Sequence, residues 1–162
     1  MGTFSIWHWL IVLGPVIAAA AFISKGRQTT SARAGDPIVL RGDGSYSIRA
    51  VGESRYQQSL STICGGRTAD GHQLSCVACL VPEPTNPHDR NAVMVSIDGH
   101  RVAYLPRSLA GTYLRSLREL GMFGRAALCQ AMINGGWDRG GDDKGYFGVE
   151  LDLVWPITRA VP

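Results

Sequence analysis

A chain of 162 residues has room for one domain and an appendage. Its formal charge of +3 has a single origin: Lys25, Arg27 and Arg33 precede the first acid, Asp36, and from Ala34 onward 13 basic and 13 acidic residues cancel. A domain without net charge excludes a binder that holds nucleic acid by overall basicity, so any such affinity has to come from a local patch.

Between Gly2 and Ser24 there is no Asp, Glu, Lys or Arg, and Phe4–Ile23 is apolar apart from Ser5, His8 and the break at Gly14-Pro15. About 20 such residues cross a bilayer core as a helix, and a proline within a membrane helix is tolerated. Trp7, His8 and Trp9 mark one end, where amphipathic rings favour the headgroup level. Basic residues follow only the other end. Residues 1–24 are therefore expected as a single transmembrane helix, with the positive-inside bias placing the rest of the chain in the cytoplasm. A cleaved signal peptide is the alternative. Ala18–Ala21 would serve as its cleavage region, but the positively charged n-region is missing. Residues 25–45, rich in Gly, Ser, Thr and Arg, are expected as a flexible juxtamembrane linker.

The domain is expected over residues 46–157. Tyr46–Val51 alternates as a strand, and Gly52 suits a bulge or turn. Tyr56–Cys64 places Tyr56, Leu60 and Ile63 on one face of a short helix that Gly65-Gly66 ends. Leu74–Val81 reads as a buried strand. It contains Cys76 and Cys79 at the CxxC spacing that zinc or redox chemistry uses. Positions three apart on a strand face opposite sides, and no second pair completes a tetrahedral site, so buried free thiols are the simpler expectation, one that suits a reducing cytoplasm.

Next comes a loop stiffened by Pro82, Pro84 and Pro87, which fix φ and withdraw three backbone donors. It carries Asn86, His88, Asp89 and Arg90, and a rigid loop presenting polar groups is a candidate binding element. Ala92–Ile97 and Val102–Leu105 flank Asp98-Gly99, a strong hairpin signal. A helix opens at Pro106, with Leu109, Tyr113, Leu117 and Leu120 as its apolar stripe and Gly121 as its stop. Ala126–Ile133 is a further strand, Asn134–Gly145 a glycine-rich and charged stretch expected to be mobile, and Tyr146–Trp155 a half-buried strand. Five or six short strands with one or two helices predict a mainly β domain, a small and partly open antiparallel barrel.

Three blocks carry a family resemblance: Val51-Gly52-Glu53-Ser54-Arg55-Tyr56, then Asn86-Pro87-His88-Asp89-Arg90-Asn91-Ala92-Val93-Met94-Val95, then Val102-Ala103-Tyr104-Leu105-Pro106-Arg107-Ser108-Leu109-Ala110. In this order and spacing they resemble a HIRAN domain, over roughly residues 47–155. The resemblance implies an OB-like β-barrel that captures the 3′-hydroxyl end of single-stranded DNA. It implies that Tyr56 stacks on a base and Arg55 meets phosphate, and that Asp89 accepts a hydrogen bond from the terminal hydroxyl. His88 stands where DNA-binding members have a stacking Tyr, Tyr104 where they have His, and Arg107 where a Lys contacts phosphate. Tyr146 or Phe147 stands for an aromatic on the terminal base. A plainer role remains open for several of these: Tyr56 and Tyr104 as core rings, Asp89 as a turn cap. At the N-terminus, Phe4–Leu13 is similar to the start of the A-type subunits of the twin-arginine translocase. That likeness stops by Gly14 and implies a bacterial inner-membrane setting rather than transport.

The expected function is thus non-catalytic binding of a single-stranded nucleic-acid end by a membrane-anchored module. The alternative is a membrane-tethered module for a protein partner. A thiol or metal enzyme built on Cys76 and Cys79 is the third reading. The chain has no helicase motif, no phosphate-binding Gly-Lys-Ser/Thr loop and no triad, so no catalytic residue, cofactor or metal is expected.

Overall fold

The computed structural model describes residues 38–160. The expected membrane helix, its signal-peptide alternative and most of the expected linker lie outside the described residues. Among the described residues no helix is long and apolar enough to cross a membrane.

The described chain is mainly β, an antiparallel sheet curled into a half-barrel and accompanied by two helices. In chain order the strands are β1 (Ile38–Val39), β2 (Ile48–Arg49), β3 (His72–Pro82), β4 (Val93–Ile97), β5 (His100–Tyr104), β6 (Ala127–Gly135) and β7 (Phe147–Asp152). Helix α1 is Gln57–Cys64 and α2 is Arg107–Glu119. The sheet runs β2-β7-β6-β3-β4-β5, and β1 lies off this path, parallel to the start of β6.

Period-two patterning sets the inner face. Val93, Val95 and Ile97 of β4, Ala127, Cys129, Ala131 and Ile133 of β6, and Phe147, Val149 and Leu151 of β7 are all buried. Leu60 of α1 and Tyr113 and Leu117 of α2 complete this core. The β4–β5 turn has Asp98 at φ 50 and Gly99 at φ 78, the two positive dihedrals of a type I′ hairpin.

Helix α2 ends as its sequence suggests. Gly121 is left-handed at φ 70, the Gly121 amide donates to the Arg118 carbonyl, and the Met122 amide donates to that of Leu117. Its start differs by one position. Pro106 is the N-cap, extended at ψ 136, and its carbonyl accepts from the Leu109 and Ala110 amides. The stripe differs too: Ala110, Tyr113, Ser116 and Leu117 are buried, while Leu120 is exposed at the C-cap and Met122 takes its place in the core.

Three expectations are corrected. Residues 38–45 and 158–160 belong to the fold. Ile38 and Leu40 are buried, Leu40 bridges to Arg159, and the buried Asp152 carboxylate accepts the amides of Asp43 (3.1 Å) and Gly44 (3.0 and 3.1 Å). A Cβ on Gly42 would stand 2.0 Å from that carboxylate. Two apolar side chains separated by one residue are too short a pattern to stand out among Gly, Ser and Arg. Secondly, β3 is not buried along its length. Only Ala78 and Leu80 are fully buried, because β4 pairs β3 from Ala78 onward and the first half has β6 as its one strand partner. Cys129 is the buried thiol, while Cys76 and Cys79 are half-buried.

The third correction concerns the glycine-rich stretch after β6, which is tied down rather than mobile. Trp137 bridges to Thr68 and donates its indole N–H to Asp143 (3.1 Å). Lys144 pairs with Asp138 (3.1 Å), and the Arg67 guanidinium donates to the carbonyls of Trp137 and Gly145. Composition describes freedom of the chain, and these side-chain bonds remove it.

Two stability outcomes follow from the buried polar groups. Asp152→Ala leaves the Asp43 and Gly44 amides without their acceptor and is expected to cost about 1–3 kcal/mol in chemical denaturation. Among the described residues the buried Tyr113 hydroxyl has no hydrogen-bond partner, so Tyr113→Phe removes an unsatisfied group and should leave the denaturation midpoint unchanged or higher.

Candidate functional site

The sheet curls far enough for its edges to meet at one point. Val51, just after β2, pairs with Tyr104 at the end of β5: the Val51 amide donates to the Tyr104 carbonyl (2.9 Å) and the Tyr104 amide to the Val51 carbonyl (2.8 Å). Gly52 then turns the chain with φ 84 into a short 3-10 segment, Glu53–Arg55, that delivers Tyr56 to the N-cap of α1. The Tyr56 and Tyr104 rings lie 6.4 Å apart between centroids, inclined at 47°.

The proline-rich loop between β3 and β4 closes over the same place. Its ends are joined by the Glu83 amide on the Ala92 carbonyl (2.9 Å). Inside it the Asn86 side-chain oxygen accepts the amides of His88 (3.0 Å) and Asp89 (3.3 Å), and Asp89 Oδ1 accepts the Asn91 amide (2.9 Å). These are Asx bonds that hold a turn without regular structure.

The Glu83 carboxylate is the hub of this cluster. It accepts from the Asn86 amide group (2.9 Å), the Tyr104 hydroxyl (3.2 Å) and the Arg101 guanidinium (2.8 Å). Arg101 also lies 5.8 Å from the Tyr104 ring centroid. Through Asn86 the network continues to Asp89, whose Oδ2 accepts from Arg107 Nε at 3.1 Å. The Asp89 side chain is 23% exposed and that of Arg107 81%. Arg107 therefore offers the rest of its guanidinium to solvent.

Of the expected site residues, Tyr56, Asn86, Asp89, Tyr104 and Arg107 are joined in this continuous cluster. His88 is exposed on the loop, and its backbone amide is held by Asn86. Arg55 is exposed beside Tyr56 in the chain, with no ion pair among the described residues. Tyr146 and Phe147 lie apart from the cluster. They border a groove of about 590 Å³ shared with Glu53, Ser54 and Gln57. Tyr146 is 73% exposed, whereas the Phe147 ring is 2% exposed, 5.3 Å from the Arg67 guanidinium and 5.6 Å from the His72 ring. Between the two regions, Gln57 bonds both backbone groups of Phe147: its Oε1 accepts the amide and its Nε2 donates to the carbonyl, each at 2.9 Å.

Glu83 and Arg101 escape sequence reasoning, and for Arg101 a bulge is the cause. Val95 pairs with Ala103 but Ser96 with Arg101, so Val102 is an extra residue in β5. Val102 and Ala103 both point inward, at 0% exposure each, which leaves Arg101 and Tyr104 on the same outer face. Strict alternation puts residues three apart on opposite faces. The sequence signal available was the pair of consecutive apolar residues, Val102-Ala103, in an otherwise alternating hairpin.

Burial, followed by the Glu83 charge, pushes the Tyr104 hydroxyl up to about 12. Burial also pushes the Cys76 thiol up to about 11, with Asp98 adding to it, and Cys129 to about 12. Thiols held this far above neutrality stay protonated and are poor nucleophiles. Among the described residues no group of three His, Cys, Asp or Glu side chains is placed to hold a metal ion. In comparisons with known proteins, no family model and no solved structure matches the chain.

Tyr104 makes a pH prediction. Its folded pKa is raised above the ordinary 10.0, so its contribution to stability is complete below pH 10 and is lost as pH rises toward 12. Tyr104→Phe lacks this ionisation. Chemical denaturation across that interval should show stability falling less steeply for the variant than for the parent protein.

Proposed function

We propose that the chain is a membrane-anchored, non-catalytic module of HIRAN type, whose OB-like half-barrel binds the 3′-hydroxyl end of a single nucleic-acid strand. The observation that supports this reading is convergence. Tyr56, Asp89, Tyr104 and Arg107 come from the three sequence blocks that carry the resemblance, and one cluster of hydrogen bonds and ring contacts contains them all. Membrane anchoring, a bacterial inner-membrane location and a cytoplasmic domain rest on residues 4–33 of the sequence.

The chemistry of the cluster suits an end rather than an uninterrupted stretch of strand. Asp89 keeps one oxygen on the Asn91 amide and the other on Arg107. A carboxylate oxygen has lone pairs to spare, so it can accept a terminal hydroxyl while it keeps these partners. It repels a terminal phosphate instead. Arg107, anchored through Nε, has its remaining donors for the preceding phosphate, and an exposed guanidinium grips phosphate in a fork. Tyr56 is half-buried, braced by Tyr104, and offers a ring for base stacking without sequence preference. The two acids Glu83 and Asp89 are matched by Arg101 and Arg107, so the surplus positive charge at the rim is that of Arg55 and Arg90.

The test uses the full chain and short single strands ending in either a 3′-hydroxyl or a 3′-phosphate. At low salt the hydroxyl end should bind at least about tenfold more tightly, the scale of one hydrogen bond to a charged group. Asp89→Asn retains an acceptor for Asn91 yet removes the charge, and should erase that preference. Arg107→Ala should weaken both ends and lower the salt slope by about 0.7. Absence of micromolar binding by either end overturns the proposal.

A further inference from the structure

A second cavity adjoins the proline-rich loop on the side of α2. It encloses about 420 Å³ and is lined by Pro84, Arg90, Leu114, Arg115, Arg118 and Phe123 among others, with Gly111 leaving its helix wall bare and no carboxylate in the lining. Phe123 is 61% exposed although the Arg118 guanidinium lies 4.7 Å from its ring centroid. Phe123 therefore presents an aromatic face to solvent in a groove that three arginines also line. Arg90 and Arg115 make no ion pair among the described residues. Pro84 and Arg90 also line the smaller cavity of about 390 Å³ that the loop forms around Asn86, His88 and Asp89. The two cavities therefore share a wall, and Arg90 stands between them.

We propose that this groove binds the body of a single nucleic-acid strand, with Phe123 as a stacking platform for a base and Arg90, Arg115 and Arg118 as phosphate contacts. The inference deepens the end-binding reading and rests on it for the direction of the strand, which would run from Asp89 past Arg90 onto α2. Charge complementarity selects the occupant. Three arginines without a lining acid call for an anion, and an apolar floor with an exposed ring calls for a planar apolar group. A nucleotide carries both at each repeat. The chain's own segment before Ala34 is apolar and basic, so its charge does not complement the groove.

The experiment compares the full chain with Phe123→Ala and with the double variant Arg115→Ala/Arg118→Ala, by fluorescence anisotropy at low salt. The probes are a linear 12-nucleotide strand with a 3′-hydroxyl, the same strand with a 3′-phosphate, a trinucleotide, a circular single strand that has no end, and an acidic, tryptophan-containing peptide. The expected result is that Phe123→Ala weakens the linear 12-mer and the circle about tenfold, the loss of one base–aromatic stack. It should leave trinucleotide binding and the preference for a hydroxyl end unchanged. The double arginine variant should lower the salt slope for the 12-mer by about 1.4, two phosphates' worth on a single strand. Phe123 is exposed, so its truncation does not threaten folding.

If both variants bind the 12-mer as the parent does while the hydroxyl preference persists, the groove inference is overturned and end binding stands. If the circle binds and loses affinity with Phe123→Ala while no end preference exists, the groove inference holds and the end reading falls. Binding of an acidic, tryptophan-containing peptide in the groove without binding of any strand overturns the inference in favour of a protein partner.

Discussion

Two hydrogen bonds between Val51 and Tyr104 draw the far edges of the sheet together, and the arrangement of the site depends on them. Without that contact the segment Gly52–Tyr56 has no reason to lie beside β5, and the Tyr56 and Tyr104 rings do not meet. With it, residues separated by about fifty positions in sequence share one surface. A bridge of this kind fixes a distance more firmly than a side-chain contact does, because backbone groups near the protein interior cannot be left without partners. Gly52 then performs the turn that the bridge makes necessary, at a left-handed φ that few other residues reach cheaply.

Around this closure the two carboxylates, Glu83 and Asp89, each face an arginine. Glu83 is mostly covered, at 17% side-chain exposure, and a carboxylate in that position is costly unless donors surround it. Arg101, Tyr104 and Asn86 supply them. Their arrangement also stiffens the loop from Pro82 to Ala92 beyond what three prolines achieve, since Asn86 is bonded to Glu83 on one side and to the His88 and Asp89 amides on the other. The cluster is thus a preorganised surface, and preorganisation reduces the ordering cost of binding.

Much of this was legible in the sequence. Short apolar runs identified β4 and β6, alternation identified β7, Asp98-Gly99 identified the hairpin, and Gly121 the end of α2. Each of these is a local signal that acts through backbone geometry. What was not legible is non-local. Ile38 and Leu40 become core residues through distant partners: β6 pairs with β1, and Asp152, more than a hundred positions away, binds the amides that follow them. The exposed first half of β3 reflects a partner strand that is too short to cover it, which composition of β3 does not encode. The tethering of Trp137 and Gly145 by Arg67 likewise joins distant stretches. At the site, five of the residues that the resemblance named cluster, yet Arg101, the partner of the hub carboxylate of Glu83, was missed because one bulge in β5 puts it on the same face as Tyr104. Phe147, read as an alternative to Tyr146, is a core ring, and its neighbour carries the exposed aromatic face.

The Gln57 side chain has a consequence beyond positioning. By bonding both the amide and the carbonyl of Phe147 it occupies the place that a residue of a further strand would take. Next along β7, the Val149 carbonyl accepts the Ala50 amide, and β2 pairs with Glu150 and Leu151. That margin of the sheet therefore offers no free ladder for another chain to extend. An open sheet margin invites edge-to-edge self-association, and here a single glutamine amide covers the margin where a two-residue strand is too short to do so.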